Sequence, residues 1–418
     1  MHRLLLVRAP RRWWPPRLRP LWVRLLRPVR RFWQRWQFKL HRVEVRGQEH
    51  LRQALAAGHG VLITPNHFSY ADPFVLLEAS DQARLPFYFM TAWQVFGAAG
   101  PLRRLLLRQH GCFSVDRDGA DVRAFRQAVD ILRRQPNPLV IFPEGDIYRL
   151  KGRVMPFHEG AASVALTAAR GQRTIICLPA SLTYRYLEDP TPKLERLLDR
   201  LERTFRWRPE RTRTSGQRVE RLTEAAVALK ELEHLGATGS GALRERIDSL
   251  AADILGRLEW DYGLGPRDAT VPKRVHRLRR QVVERRDRLS PDDPRRRQSQ
   301  DHLDDLFSVL QVFCYGADSR SGQADRERVA ATLDHLEEDL LGVPVAAARA
   351  ACAALLTFGP PVAVDPARAR PGAAPALTRT IEERVQALLD GTLTPEPVPG
   401  GRKVSRGDCS VGSRAFGC

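Results

Sequence analysis

The sequence predicts an α/β protein: a mostly parallel sheet flanked by helices, with an all-helical insertion and an amphipathic N-terminal arm. Three observations predict it. Short β-rich runs alternate with helical spacings up to Tyr186, the pattern of strand–helix–strand units. From 190 to about 345 strand signal almost vanishes, and one strand-like run then returns at 351–365. Residues 1–40 stand apart, with eleven Arg plus Lys39 and no acid, so 12 of the 20 excess positive charges lie there.

That arm (1–40) also holds Trp13, Trp14, Trp22, Trp33 and Trp36, five of the eight tryptophans. From Trp22 apolar residues recur at Leu25, Leu26, Val29, Phe32, Trp33, Trp36 and Leu40. These steps of three and four share one helical face, with Arg24, Arg27, Arg30, Arg31 and Arg35 mostly elsewhere. Pro28 is expected to kink the helix. A basic helix with Trp and Leu on one face suits the headgroup layer of an anionic bilayer, where each Arg gains roughly 1 kcal/mol. Two other readings stay open: a solvated arm that packs on the core, and a mitochondrial-type presequence, which is also Arg-rich and acid-poor. No run approaches the ~20 apolar residues of a spanning helix.

The elements then follow in order. HRVEVRG (41–47) alternates like a strand, GVLITPN (60–66) is an apolar run ending in a turn, and PFYFMTA (86–92) is β-rich. FGAAGPLRRLLLRQH reads as a helix and GCFSVDR (111–117) as a strand. GADVRAFRQAVDILRRQ carries helical spacing at Val122, Phe125, Val129 and Leu132. PLVIFPEG (138–145) is a buried-type strand, HEGAASVALTAARG a helix closed by Gly171, and TIICLPASLTYRY (174–186) a strand. The first part of the α/β domain is placed at 41–189 and the helical insertion, rich in Leu, Arg and Glu, at 190–345. The insertion's charged faces read as solvated, and SPDDPRRRQSQ within it reads as a polar loop. A lone strand after a helical block needs a sheet to join, so 346–392, a strand and the helix LTRTIEERVQALLD, is placed back in the first domain. The Gly/Ser/Arg-rich end, 393–418, reads as a disordered tail. Six cysteines, at 112, 177, 314, 352, 409 and 418, show no paired spacing, which argues against a zinc site or disulfide framework and for a reducing compartment.

Chemistry concentrates in ITPNHFSYADP (63–73), where His67 and Asp72 stand five positions apart. A neutral imidazole takes a proton near neutral pH, and a carboxylate on its other nitrogen fixes the tautomer. The bland alternative is that Asp72 caps the helix that Pro73 begins and His67 is incidental. Other segments at predicted strand ends, where α/β sheets gather their ligand sites, are GCFSVDR, FPEG (142–145), FHEGAA (157–162) and LPASLTYRY (178–186).

Taken together, these segments resemble the glycerolipid acyltransferase family over roughly 41–186. Its N-H-x4-D motif corresponds to Asn66-His67 and Asp72. The Arg that ends its second motif corresponds to Arg117, its F-P-E-G to Phe142, Pro143, Glu144 and Gly145, and the proline of its fourth motif to Pro179. The resemblance implies acyl transfer from a thioester, either acyl-coenzyme A or acyl carrier protein, to a hydroxyl of a lysophospholipid such as 1-acylglycerol-3-phosphate. In that role His67 is the general base and Asp72 orients it, a contribution of about 10²–10⁴-fold. Asn66, Arg117, Glu144, Gly145 and Arg149 are the expected substrate-binding residues, Arg117 because guanidinium suits phosphate. No cofactor or metal is expected. The chain departs from the family after F-P-E-G: Asp146-Ile147-Tyr148 replaces Thr-Arg-Ser, and the next cations are Arg149, Lys151 and Arg153.

The expectation is therefore a peripheral membrane O-acyltransferase of phospholipid biosynthesis or remodelling, on the cytoplasmic face. The alternatives are another headgroup or an amino-lipid, or a non-catalytic membrane-bound scaffold, which loss of His67 or Asp72 would have favoured. A nucleic-acid partner is not expected, because the arginines cluster with tryptophans instead of spreading over a fold.

Overall fold

A computed structural model of the chain describes residues 12–119, 121–265, 270–290, 292–317, 326–365, 367 and 372–392. The expected disordered tail and the first eleven residues of the arm lie outside the described residues.

Helices α1 (Pro20–Leu25) and α2 (Arg27–Phe38) make the arm, broken at Leu26, with Pro28 in the first turn of α2 where its missing N–H costs nothing. Then come β1 (Leu40–Arg46), α3 (Gln48–Ala56), β2 (Gly60–Pro65) and α4 (Asp72–Ala83). Every residue of β2 is buried, which is why its sequence is an unbroken apolar run and not an alternating one. β3 (Tyr88–Ala92) leads into two helices where the sequence suggested one, α5 (Trp93–Gly97) and α6 (Pro101–Gln109). Gly100 is extended ahead of Pro101, the first residue of the second helix, and a residue before proline disfavours the helical region. β4 (Cys112–Val115), α7 (Val122–Arg134) and β5 (Leu139–Val140) follow. β5 is much shorter than the apolar run predicted, because the chain turns away at Phe142–Pro143. α8 (Gly160–Ala169) and β6 (Ile175–Tyr186) end this part of the domain.

Six helices come next: α9 (Thr191–Thr204), α10 (Ser215–Leu235), α11 (Leu243–Asp261), α12 (Val271–Asp287), α13 (Arg295–Ala317) and α14 (Arg326–Leu340). The polar SPDDPRRRQSQ segment is half helix, since α13 starts at Arg295. After them the chain re-enters the sheet as β7 (Cys352–Phe358) and β8 (Val362–Ala363) and closes with α15 (Ala373–Leu389).

The sheet order is β1-β7-β6-β2-β5-β3-β4, with β8 beside β6. All pairings are parallel except β6 with β7 and with β8. β6 has three partners, with β8 beside Ile176 and Cys177. Ile175–Ala180 runs along β2, and Ala180–Tyr186 runs antiparallel to β7. Pro179, which has no N–H to give, sits at the change of partner. One apolar layer, from α3 and α4, covers one face of the sheet; α7, α8 and α15 cover the other. The six-helix block has its own core, into which Tyr148, Leu150 and Met155 reach from the loop after β5.

That second core contains a charged cluster. Arg218 on α10 is fully buried and donates to Glu202 (2.9 and 2.7 Å) and Asp199 (2.7 Å), and it also pairs with Glu195. These hydrogen bonds, that to Glu202 foremost, raise its pKa further, so the charge is permanent.

The arm is turned the opposite way from a helix that packs its apolar face inward. Val23, Arg30 and Gln34 are buried, while Phe32 is 69% and Leu21 67% exposed, with Leu25, Val29 and Trp36 similar. Arg30 donates to Asp81 and Arg31 to Glu78, and Arg27 lies 3.2 Å from Asp81. These two acids of α4 hold the basic side down, and the apolar row faces outward. Among the described residues no helix is long and apolar enough to cross a membrane.

Candidate active site

The loops leaving the C-terminal ends of β2, β4 and β5 converge on one cavity of about 1820 Å³. His67, from the β2–α4 loop, lies on its wall with Glu144, Gly145 and Arg117.

His67 Nδ1 is 2.8 Å from Asp72 Oδ2. Asp72 is not a helix cap: it is the first residue of α4, Ala71 precedes it, and its partners lie in the loop and on β6. Phe68 N (2.7 Å) and Ser69 N (2.8 Å) donate to Oδ2, and the Tyr184 hydroxyl (2.5 Å) donates to Oδ1. A carboxylate with three such donors is an acceptor, so Nδ1 carries the proton and Nε2 is left as the basic nitrogen. Asp72 has no exposed surface and His67's side chain is 15% exposed, an arrangement in which the acid orients and the imidazole meets substrate. The ring of Phe142 stacks on the imidazole at 4.0 Å and limits its rotation.

Tyr184 carries no motif signal. Its only cue is the alternation of β6, which puts it on the same side as Leu182, the residue that holds Asn66. Burial raises its pKa well above the ordinary tyrosine range, so the hydroxyl stays a donor. Tyr184→Phe removes one charged hydrogen bond worth about 1.5–3 kcal/mol to Asp72. We expect turnover to fall roughly tenfold or more with little change in KM; unchanged turnover would make the hydroxyl a mere packing group.

Glu144 is buried, and its two oxygens accept from His67 N (2.6 Å) and Met155 N (3.0 Å). It braces the His67 loop instead of pointing free oxygens at a hydroxyl. Burial outweighs those two amides and pushes its pKa up to about 8. Gly145 follows with φ +74°, and a Cβ there would meet His158 at 2.8 Å, so only glycine fits the turn. Its carbonyl accepts from Arg117 Nη1. Arg117 Nε and Nη2 are buried without a hydrogen-bond partner, and Asp146 Oδ1 lies 3.9 Å from Nη1.

Two more expected substrate contacts are turned elsewhere. Asn66 is buried, and its amide is satisfied by Leu182, donating to the carbonyl (3.1 Å) and accepting from the N–H (2.6 Å), which ties the His67 loop to β6. Arg149 is absent from the cavity wall. It pairs with Glu338 of α14 (2.5 Å) and lies over the Tyr70 ring at 5.4 Å, a strut between domain and insertion. Ile147, in the slot of the family arginine, is a buried apolar residue of the wall.

The cavity has two chemically distinct regions. Leu26 at the break between α1 and α2, Val29, Trp33 and Phe38 of α2, and Leu106 and Leu107 of α6 line one. The other is polar and includes Arg117, Asp118, Asp146 and His158. Among the described residues no cluster of His, Cys, Asp or Glu has the makings of a metal site. Cys112, Cys177, Cys314 and Cys352 are free thiols. Burial raises Cys112 to about 12, which removes it as a nucleophile at neutral pH.

No curated protein matches the chain. Residues 42–182 match the model of the Acyltransferase family. The stretch that folds into this His–Asp site is accordingly a domain of the glycerolipid acyltransferase family.

Proposed function

We propose that the protein moves a fatty acyl group from a thioester, acyl-coenzyme A or acyl carrier protein, to a hydroxyl of a lysophospholipid such as 1-acylglycerol-3-phosphate. The observation that carries this reading is the His67–Asp72 pair on the wall of a cavity that joins an apolar region to a cationic one. His67 Nε2 takes the hydroxyl proton as the oxygen attacks the thioester carbonyl. The C–O bond forms, the C–S bond breaks, and the imidazolium returns its proton to the departing thiolate. Asp72 holds the tautomer and steadies the imidazolium, and the Arg117 guanidinium faces the acceptor's phosphate. The scaffold alternative would leave unexplained a buried acid with four donors around one histidine.

The reaction is placed at a membrane surface. The outward row Leu21, Leu25, Val29, Phe32 and Trp36 continues through Val29 and Trp33 into the cavity wall, so an acyl chain would pass from bilayer to site along α2. Replacing Trp22, Phe32 and Trp36 with Ser should lower binding to anionic vesicles by about tenfold or more, since full burial of each is worth roughly 1.5–3 kcal/mol. Vesicle flotation reads it, and unchanged flotation would move the contact elsewhere.

The reaction itself is tested by incubating labelled acyl thioesters of both donor types with a panel of lysolipids in vesicles. Labelled diacyl product with one class of acceptor supports the reading and names the headgroup. Thioester left intact by folded, vesicle-bound protein across the panel would refute it.

A further inference from the structure

The insertion is not a bystander to the cavity. Lys273, His276, Arg279 and Arg280, all on α12, line the same polar region as Arg117, Gly145 and His158. The His158 and His276 rings meet at 4.1 Å, joining the loop after β5 to α12. Arg279 is held by Asp118 through two bonds (2.9 and 3.1 Å), which fix its guanidinium.

The acids of this wall are largely committed. Asp118 holds Arg279. Asp121 caps α7 through Ala124 N (3.0 Å) and takes Asp116 N (3.0 Å). Asp116 takes Asp118 N (3.1 Å), and Asp146 takes Ile147 N (2.9 Å) and lies 4.0 Å from Arg279. The cations are not all matched. Arg280 pairs with Glu284 on its own helix (3.1 Å), but no acid pairs with Lys273 among the described residues, and Arg117 keeps two buried nitrogens unbonded. Arg117 and Lys273 line this cavity with His158, and both charges disfavour protonation of its ring. Burial and these neighbours push His158 down to about 3, and burial lowers His276 too, leaving both as neutral hydrogen-bonding rings there. Meanwhile the motif loop puts no cation on the cavity wall: Ile147 is apolar, Arg149 is paired with Glu338, Lys151 lies 3.3 Å from Glu327, and Arg153 stands off the wall.

We propose that α12 of the insertion is the headgroup wall of the site, with Lys273 joining Arg117 to hold the acceptor's phosphate and Arg279 positioned beside them. The insertion thus supplies from outside the motif segment the cation that the motif loop lacks, and sets which headgroups are accepted. This rests on the acyl-transfer reading for the identity of the acceptor, but the phosphate site can be tested without turnover.

Lys273 is exposed and makes no ion pair among the described residues, so Lys273→Gln should fold; Lys230→Gln, on α10 outside the cavity, is the control. Binding of glycerol 3-phosphate to the full-length protein by calorimetry should weaken about tenfold in Lys273→Gln and not in the control, as expected for loss of one charge-assisted contact. In the acylation assay the same variant should raise the acceptor's KM about tenfold with kcat and the donor's KM kept. Equal binding by wild type and Lys273→Gln, no binding by wild type, or a rise confined to the donor's KM would each overturn the proposal. A wild type that binds glycerol 3-phosphate through Lys273 yet acylates nothing would instead refute the acyl-transfer reading and leave the phosphate site standing.

Discussion

His67→Ala should lower acyl transfer by about 10²–10⁴-fold, the range that a positioned general base contributes. The loss should fall on kcat, because the imidazole acts on the reacting proton and makes no contact with the headgroup cations. The fold should survive. The backbone N–H of residue 67, which Glu144 accepts, remains in the variant, and Asp72 keeps Phe68 N, Ser69 N and the Tyr184 hydroxyl. What is lost is one ring stacked on Phe142. Steady-state rates beside a thermal melt check both halves of the statement. A folded variant within tenfold of wild type would place the base elsewhere.

The second large effect concerns stability and lies far from the site. Arg218→Ala should destabilise the insertion by about 3–5 kcal/mol, because removing one member of a buried ion cluster strands the others without solvent. Glu202 is 1% exposed and Asp199 6%, so neither can recover its hydration by a small movement. Asp199 retains Arg211 at 2.6 Å, whereas among the described residues Glu202 has no second cation, so Glu202 carries most of the cost. Denaturant unfolding followed by circular dichroism measures it, and a loss under about 1 kcal/mol would mean that water enters the cluster. Because α12 lines the cavity, the same variant should also weaken acceptor binding when the insertion loosens.

The fold class was legible because it rests on local signals. Unbroken apolar runs such as GVLITP mark a strand buried on both faces, and the spacing of Phe125, Val129 and Leu132 marks the helix face against the sheet, although Val122, read with them, is 53% exposed. His67 and Asp72 were legible because their partnership is local, five residues across one loop. Non-local partnerships were not. The sequence could count the arm's arginines but not see that Glu78 and Asp81 of α4 would take Arg30 and Arg31, so it could not say which face turns outward. Tyr184 reaches Asp72 across 112 positions, with no spacing to announce it. Asn66 sits in a motif position and Arg149 just beyond one, which suggested substrate contacts, yet their partners, Leu182 and Glu338, lie on elements whose approach only the folded chain defines. The place of α12 on the cavity wall was hidden for the same reason: a Leu/Arg/Glu helix reads as a solvated face until its neighbours are known.

The proposed reaction is direct transfer, with His67 activating the acceptor hydroxyl and no acyl-enzyme between donor and product. The most direct measurement is a rapid-quench experiment with acyl-labelled thioester, run with and without lysolipid, followed by separation of protein from lipid. Direct transfer requires label to pass from thioester to diacyl lipid only when acceptor is present, with no label on the protein at any time. Label accumulating on the protein before acceptor is added, at Ser69 or any other nucleophile, would contradict it.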